Sequence, residues 1–276
     1  MNTTGLRHEL DAVYPLTREQ VEFYAKNGYV KLRNVLSAAV LEDYGRAISE
    51  RVAQLSADAL PMEQRTTYGK AFLQIMNLWR QSEKAEEFVM GQRLARIAAE
   101  LMGVTGVRLY HDQALYKEAG GGLTPWHADQ YYWPTATDKI VTAWVPLQAT
   151  PLEMGPLAFC KQSHRFQIGR DLEISDESEM MLKEALSKFE TEETPFELGE
   201  VSFHAGWTFH RAGANCSERP RAVMTMIYMD EQMRLATPKN KNQIADAETW
   251  CPGVKVGDVI DSALNPVVWS NAESID

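Results

Sequence analysis

The sequence predicts a mainly β domain with flanking helices, a sandwich or jelly roll rather than a parallel α/β sheet. Helical patterns crowd the first 105 residues. From residue 107 short β-type runs take over, at 107–117, 140–145, 157–159, 200–203 and 221–229. Gly and Pro turns divide these runs, and helices do not alternate with them as a parallel sheet would require.

The elements follow in order. Thr17-Arg18-Glu19-Gln20 reads as a capping box, with Thr17 at the N-cap and Gln20 reaching back. The helix it opens carries Val21, Tyr24 and Ala25 on one face and stops at Asn27-Gly28, a left-handed C-cap. Residues 29–32 form a short strand. Ser37 caps a second helix reaching Leu55, with Val40, Leu41, Tyr44, Ile48 and Val52 at helical spacing. A further helix covers 93–102 and ends at Gly103. An inserted helix spans 175–189, with Leu182, Ala185, Leu186 and Phe189 as its apolar side; the surrounding segment 167–193 is either a lid or a surface decoration. His8 is assigned to a frayed terminus. No repeat, low-complexity stretch or linker interrupts the chain. It is therefore read as one domain over 1–276: a mostly helical N-terminal region over 1–105, a core over 106–235 and a C-terminal extension over 236–276.

Composition excludes several classes. The 26 aromatic residues (7 Trp, 10 Tyr, 9 Phe) rule out a disordered chain. The net charge of 28 − 38 = −10 leaves no basic stripe to neutralise phosphates, so a nucleic-acid partner is not expected. No window approaches the roughly 20 apolar residues of a membrane span, and the start lacks the pattern of a signal peptide. Cys160, Cys216 and Cys251 form neither a disulfide framework nor a zinc pattern. The expectation is a soluble cytoplasmic protein acting on a small molecule. Its oligomeric state is not legible.

Chemistry concentrates in the 6 histidines. In Trp126-His127-Ala128-Asp129 an extended backbone projects His127 and Asp129 to the same side, where an imidazole and a carboxylate can meet one metal ion. His210, between the β-type runs at 200–203 and 221–229, is the candidate third ligand. Two His and one carboxylate leave open positions on the ion, the arrangement of non-haem Fe(II) oxygenases. Taken alone, a His-x-Asp also fits a hydrogen-bonded surface pair. Arg221 follows eleven residues after His210 and opens the apolar run 221–229. Where such iron sites bind 2-oxoglutarate, the distal carboxylate needs a fixed cation, and Arg offers a bidentate fork.

Pro125-Trp126-His127-Ala128-Asp129-Gln130, followed by Tyr132-Trp133-Pro134, resembles the first metal motif of the phytanoyl-CoA dioxygenase family. Gly206-Trp207-Thr208-Phe209-His210-Arg211-Ala212-Gly213-Ala214-Asn215, with Arg221 beyond it, is similar to the second. Thr142-Ala143-Trp144-Val145-Pro146-Leu147, Glu153-Met154-Gly155-Pro156-Leu157, the opening 19–32 and Trp250-Cys251-Pro252-Gly253 extend the resemblance over nearly the whole chain.

The resemblance implies a double-stranded β-helix (jelly-roll, cupin-like) core. It implies Fe(II) held by His127, Asp129 and His210, and 2-oxoglutarate held by Arg221 with Trp144 walling it. Oxygen is the second cosubstrate; succinate and carbon dioxide are released as a C–H bond of a small molecule is oxidised. Relatives that halogenate lack the carboxylate, so Asp129 points to hydroxylation or a related desaturation or ring closure. Trp133, His111, Gln113 and Thr225 are the candidate substrate contacts, and Tyr131, Tyr132 and Trp133 suggest an aromatic wall that packs an apolar skeleton or embraces an organic cation. His204 is a candidate neighbour of the ligands and His164 a structural histidine.

Two departures stand out. Many relatives carry a Ser two residues after the distal His, where it contacts the cosubstrate; here Ala212 stands there. Many also read Pro-Gly-Ser-His where this chain has Lys161-Gln162-Ser163-His164. The competing readings are a catalytically inactive jelly-roll binding protein with a retained motif, and a metal-dependent hydrolase built on His111-Asp112.

Overall fold

Local signals near the N-terminus hold. The computed structural model describes residues 3–65 and 67–271 and opens with helices α1 (Thr3–Asp11) and α2 (Arg18–Asn27). Thr17 and Gln20 make the reciprocal capping box, and Gly28 closes α2 at φ 84°. A Cβ at Gly28 would also meet the His164 ring at 2.4 Å, so the glycine serves both cap and contact. His8 lies inside α1 rather than in a frayed end, because Leu6 and Leu10, one helical turn apart, are buried and hold the helix down.

The chain continues through β1 (Tyr29–Leu32), α3 (Ala38–Leu55), α4 (Thr67–Ala71), β2 (Leu73–Met76), α5 (Glu83–Val89) and α6 (Gln92–Met102). The core strands are β3 (Gly106–Lys117), β4 (Thr124–His127), β5 (Ile140–Pro146) and β6 (Leu157–Cys160). Helix α7 (Asp176–Ala185), β7 (Thr191–Glu193), β8 (Val201–Ala205), β9 (His210–Ala212) and β10 (Arg221–Asp230) follow, then α8 (Lys241–Trp250) and β11 (Val267–Ser270). Helix α7 begins at its capping-box Ser175 as expected but ends at Ala185, short of Phe189, where a turn bonds Phe189 back to Leu186.

Two antiparallel sheets form the core. The larger runs β1-β8-β5-β10-β3-β11, with β2 also on β3; the smaller runs β4-β9-β6-β7. This is the jelly-roll architecture expected. The boundaries at 105/106 and 235/236 are crossed, however, because β1 and β2 come from the N-terminal region and β11 from the extension, and all three are strands of the larger sheet. Strands β4 and β9, four and three residues long, carry His127 and His210, and Asp129 opens the short 3-10 turn just after β4.

Strand alternation gives the larger sheet two faces. Val141, Ala143, Val145, Ala222, Met224, Met226 and Phe203 pack outward with Val40, Tyr44, Ile48, Ile97 and Leu101 from α3 and α6 in the main apolar core. Each fully buried aliphatic side chain there contributes about 1.5–3 kcal/mol. The opposite face is polar and looks toward the smaller sheet. Among the described residues, no helix is long and apolar enough to cross a membrane.

Candidate active site

The polar face presents His111, Gln113, Leu115 and Lys117 from β3, Thr142 and Trp144 from β5, His204 from β8, and Arg221 and Thr225 from β10. Register aligns them in rows. Arg221 pairs with Lys117, Thr225 with both Gln113 and Trp144, and Ile227 with both His111 and Thr142. With β4 and β9 opposite, most of these side chains line a cavity of about 200 Å³.

His127, Asp129 and His210 converge in that cavity, their ligand atoms all within 4.8 Å of one another. His127 and His210 pair across the β4/β9 ladder. Asp129 Oδ1 lies 3.5 Å from His127 Nε2 and 3.6 Å from His210 Nε2. Both imidazoles donate their other nitrogen to a backbone carbonyl, His127 Nδ1 to Pro125 at 2.7 Å and His210 Nδ1 to Thr208 at 2.9 Å. That assignment leaves each Nε2 lone pair aimed at the shared point. The other carboxylate oxygen, Oδ2, accepts from Thr142 Oγ1 at 3.0 Å and faces His204 Nε2 at 3.2 Å. Burial, then His127 and His204, hold His210 neutral. Burial opposes the charge on Asp129, yet His210, His127 and His204 keep its carboxyl well below the usual range. A carboxylate and a neutral imidazole are the protonation states in which Asp129 and His210 bind a metal.

The turn at Lys161–His164 adapts to its sequence. Gln162 takes the left-handed position at φ 64°, and Ser163 Oγ accepts from Phe209 N at 2.9 Å, fixing the chain just before His210.

At the far end of the cavity lies an anion site. Arg221 is 2% exposed, has no acidic partner among the described residues and leaves its Nε without a hydrogen bond. Its Nη1 donates to Gly155 O, and the guanidinium lies 5.3 Å from the Trp144 ring centroid. Gly155 holds φ 65° with Gly213 O 2.2 Å from where a Cβ would be, so only glycine passes there. Burial lowers Arg221 to about 9. Lys117 beside it is fully buried and lowered to about 7, by burial first and then by Arg221. Its Nζ donates to Gly122 O and, at 3.3 Å, to Thr124 Oγ1. Two buried cations without an acid are costly unless an anion joins them.

The remaining expectations divide. Trp133, His111, Gln113 and Thr225 all line the cavity, as does Tyr132, whereas Tyr131 turns away and bonds Asn242. Ile174 reaches the cavity from the 167–193 segment, its N–H donating to Tyr132 Oη at 2.9 Å, so that segment is more than a decoration. Asp112 points to the opposite face, accepting from Leu78 N and Trp79 N, and cannot share a metal with His111. Thr124, Thr142, Lys117 and Asp246 escaped the sequence reading. For three of them a signal existed: Lys117 continues the alternation 111/113/115, Thr142 precedes Trp144 by two, and Thr124 lies in the segment leading into His127. Asp246 had none.

Residues 24–223 match the model of the phytanoyl-CoA dioxygenase family. The chain belongs to that family. It is an Fe(II)- and 2-oxoglutarate-dependent dioxygenase, with oxygen as cosubstrate, acting on a small molecule. A curated relative, a probable alpha-ketoglutarate-dependent hypophosphite dioxygenase of Stutzerimonas stutzeri, is 24% identical over 226 residues, covering 76% of this chain and 77% of its own. Among solved structures, the carbocyclase SnoK from nogalamycin biosynthesis superposes with TM-score 0.74 at 24% identity, over 92% of this chain and 97% of its own. The epimerase SnoN, in complex with Fe3+, alpha-ketoglutarate and nogalamycin RO, superposes with TM-score 0.73 at 24% identity, over 91% and 98%. The two-histidine, one-carboxylate donor set of this dioxygenase, with both Nδ1 atoms satisfied, fits a divalent iron with open positions.

Proposed function

We propose that this dioxygenase hydroxylates a C–H bond of a small organic molecule. Fe(II) would sit on His127, Asp129 and His210, and 2-oxoglutarate on Arg221. The balanced reaction is R–H + O2 + 2-oxoglutarate → R–OH + succinate + CO2. Iron supplies the oxygen activation and the oxidising power; the chain supplies position.

Arg221 offers its fork to the distal carboxylate, Trp144 walls that end, and Lys117 stands behind Thr124 and holds its hydroxyl. Thr124 takes the place left by Ala212: it pairs directly with Ala212 across the β4/β9 ladder, lines the cavity, and carries a hydroxyl already held by Lys117. Thr142 and His204 keep Asp129 in place on the metal, where its carboxylate fills the position that halide would otherwise need. His111, Gln113, Trp133 and Thr225 flank the reacting bond.

The observation that carries this reading is the convergence of His127, Asp129 and His210 in one cavity with an acid-free buried arginine. It disfavours the inactive relative, and the outward turn of Asp112 disfavours the hydrolase. The test is a substrate-library screen under oxygen, reading succinate against wild type and Asp129→Ala. Coupled succinate in wild type alone supports the reading, and turnover persisting under nitrogen without 2-oxoglutarate defeats it.

Substrate identity is not carried over from relatives. Hypophosphite is an anion, and apart from Arg221 no Lys or Arg lines this cavity among the described residues. A single domain over 1–276 goes with this reading, since the larger sheet draws strands from all three regions. So does a cytoplasmic location, in keeping with the three free thiols Cys160, Cys216 and Cys251.

A further inference from the structure

The cavity has two chemically different ends. Arg221 pairs with Lys117 at one end of the β3/β10 ladder and Ile227 with His111 toward the other. That stretch of strand is about 20 Å long. Beyond His111 the ladder carries a bulge: Ile227 pairs with His111 and Tyr228 with Leu109, so Tyr110 is the unpaired extra residue. Bulges re-aim side chains. Here Tyr110 turns inward beside His111, their rings 5.0 Å apart, and its hydroxyl donates to Asp246 Oδ2 from α8. Trp250, one turn further along α8, also bonds Asp246, and its ring lies 5.4 Å from His111.

Asp246 lines the cavity, and at this end it is the carboxylate while no Lys or Arg accompanies it among the described residues. Two bonds from Tyr110 and Trp250 leave acceptor capacity on a group with about four lone-pair sites. His111 Nδ1, on a side chain 2% exposed, has no partner at all. Tyr132, Trp133 and Ile174 complete the wall. An ionised acid beside aromatic rings attracts cations and repels anions.

Resting on the dioxygenase reading above, we propose that Asp246 anchors the substrate and that the substrate is a small organic amine. Its protonated nitrogen sits on the Asp246 carboxylate, its carbon skeleton lies along Tyr132 and Trp133, and the C–H bond to be oxidised points toward His127, Asp129 and His210. Carboxylates, phosphates and acyl thioesters of anionic carriers are rejected because nothing at this end neutralises them. Burial lifts the Asp246 carboxyl to about 7, which makes a neighbouring cation doubly favourable: it both pairs with the charge and stabilises the ionised form.

The test uses the Fe(II)- and 2-oxoglutarate-loaded enzyme and a library sorted into amines, neutral alcohols and carboxylic acids of matched carbon skeletons. Binding is read anaerobically from the shift of the iron–2-oxoglutarate absorption band, and coupling under oxygen from succinate. Amines should dominate the hits, and Asp246→Asn should weaken each by about 10- to 100-fold with 2-oxoglutarate affinity unchanged and the fold retained. Asn can still accept from Tyr110; should it nevertheless unfold the chain, Tyr110→Phe, which frees the carboxylate without removing it, should leave the amine preference in place. Acids or neutral alcohols outnumbering amines, no amine hit, or amine affinity indifferent to Asp246→Asn overturns the proposal. Failure of the absorption band to form at all would instead defeat the underlying dioxygenase reading.

Discussion

Thr124 faces Ala212 directly across the β4/β9 ladder, and its hydroxyl lies at the cavity wall, 3.3 Å from the Lys117 ammonium. On the proposed reading, the hydroxyl that many relatives carry on the strand of the distal histidine comes here from the strand of the first one. Thr124→Val should weaken 2-oxoglutarate binding about 10-fold, the scale of a hydrogen bond to a charged group. Thr124→Ser should not, and Ala212→Ser should restore part of the loss in the valine background. Anaerobic titration of the iron-loaded enzyme measures this, and an unchanged affinity in Thr124→Val would remove Thr124 from the cosubstrate site.

Arg221 is a buried fork, not a point charge. Arg221→Lys should therefore bind 2-oxoglutarate nearly as poorly as Arg221→Ala, at least about 10-fold below wild type, while iron affinity is retained. A lysine variant close to wild type in the same titration would refute bidentate recognition.

His127→Ala, Asp129→Ala and His210→Ala should each abolish coupled turnover without unfolding the protein. The apolar core lies on the other face of the larger sheet and contains none of the three. Circular dichroism and thermal melts of the metal-free variants should match wild type; a collapse of structure would mean that these residues serve the fold.

The Asp129 carboxylate is oriented by its neighbours. His204→Gln and Thr142→Val should lower iron affinity by about 10- to 100-fold, the range of outer-sphere changes, and leave the fold intact. Equilibrium dialysis against a competing chelator reads this directly. Affinities equal to wild type would show that the cavity holds Asp129 without them.

Asp112 carries a pH signature. Burial raises its carboxyl to about 7 in spite of the Leu78 and Trp79 N–H groups that donate to it. The folded protein keeps a proton that the unfolded chain gives up near 4. The resulting stabilisation is complete below about pH 4 and is lost as pH rises through about 7. Stability in urea should fall by about 1–3 kcal/mol between roughly pH 5 and pH 8, and Asp112→Asn should flatten that fall. Asp246, raised by burial to a similar value, should add to it in the double variant. A profile of Asp112→Asn superimposable on wild type would rule Asp112 out as the source.

Local chemistry determined what the sequence alone could determine. The Thr17–Gln20 box, the Ser37 cap and the left-handed Gly28 and Gly103 fix helix ends through bonds between near neighbours. The run 222–229, apolar apart from Thr225, marks a central strand. His127 and Asp129 share a side because an extended chain alternates, and the motifs around His127 and His210 carried the family. Tertiary structure decided the rest. Strands β4 and β9 are too short to signal themselves and exist because they pair with each other and β9 also pairs with β6. Helix α1 is pinned by buried leucines, Leu10 lying against Gly91 far along the chain. The pairing of Thr124 with Ala212 depends on cross-strand register, which no single strand encodes. Asp246 reaches the cavity from α8, where it accepts from the Tyr110 hydroxyl at the bulge. Neighbours within a turn or a strand obey short-range rules that can be read from spacing; the two ends of the cavity depend on which distant segments pack together.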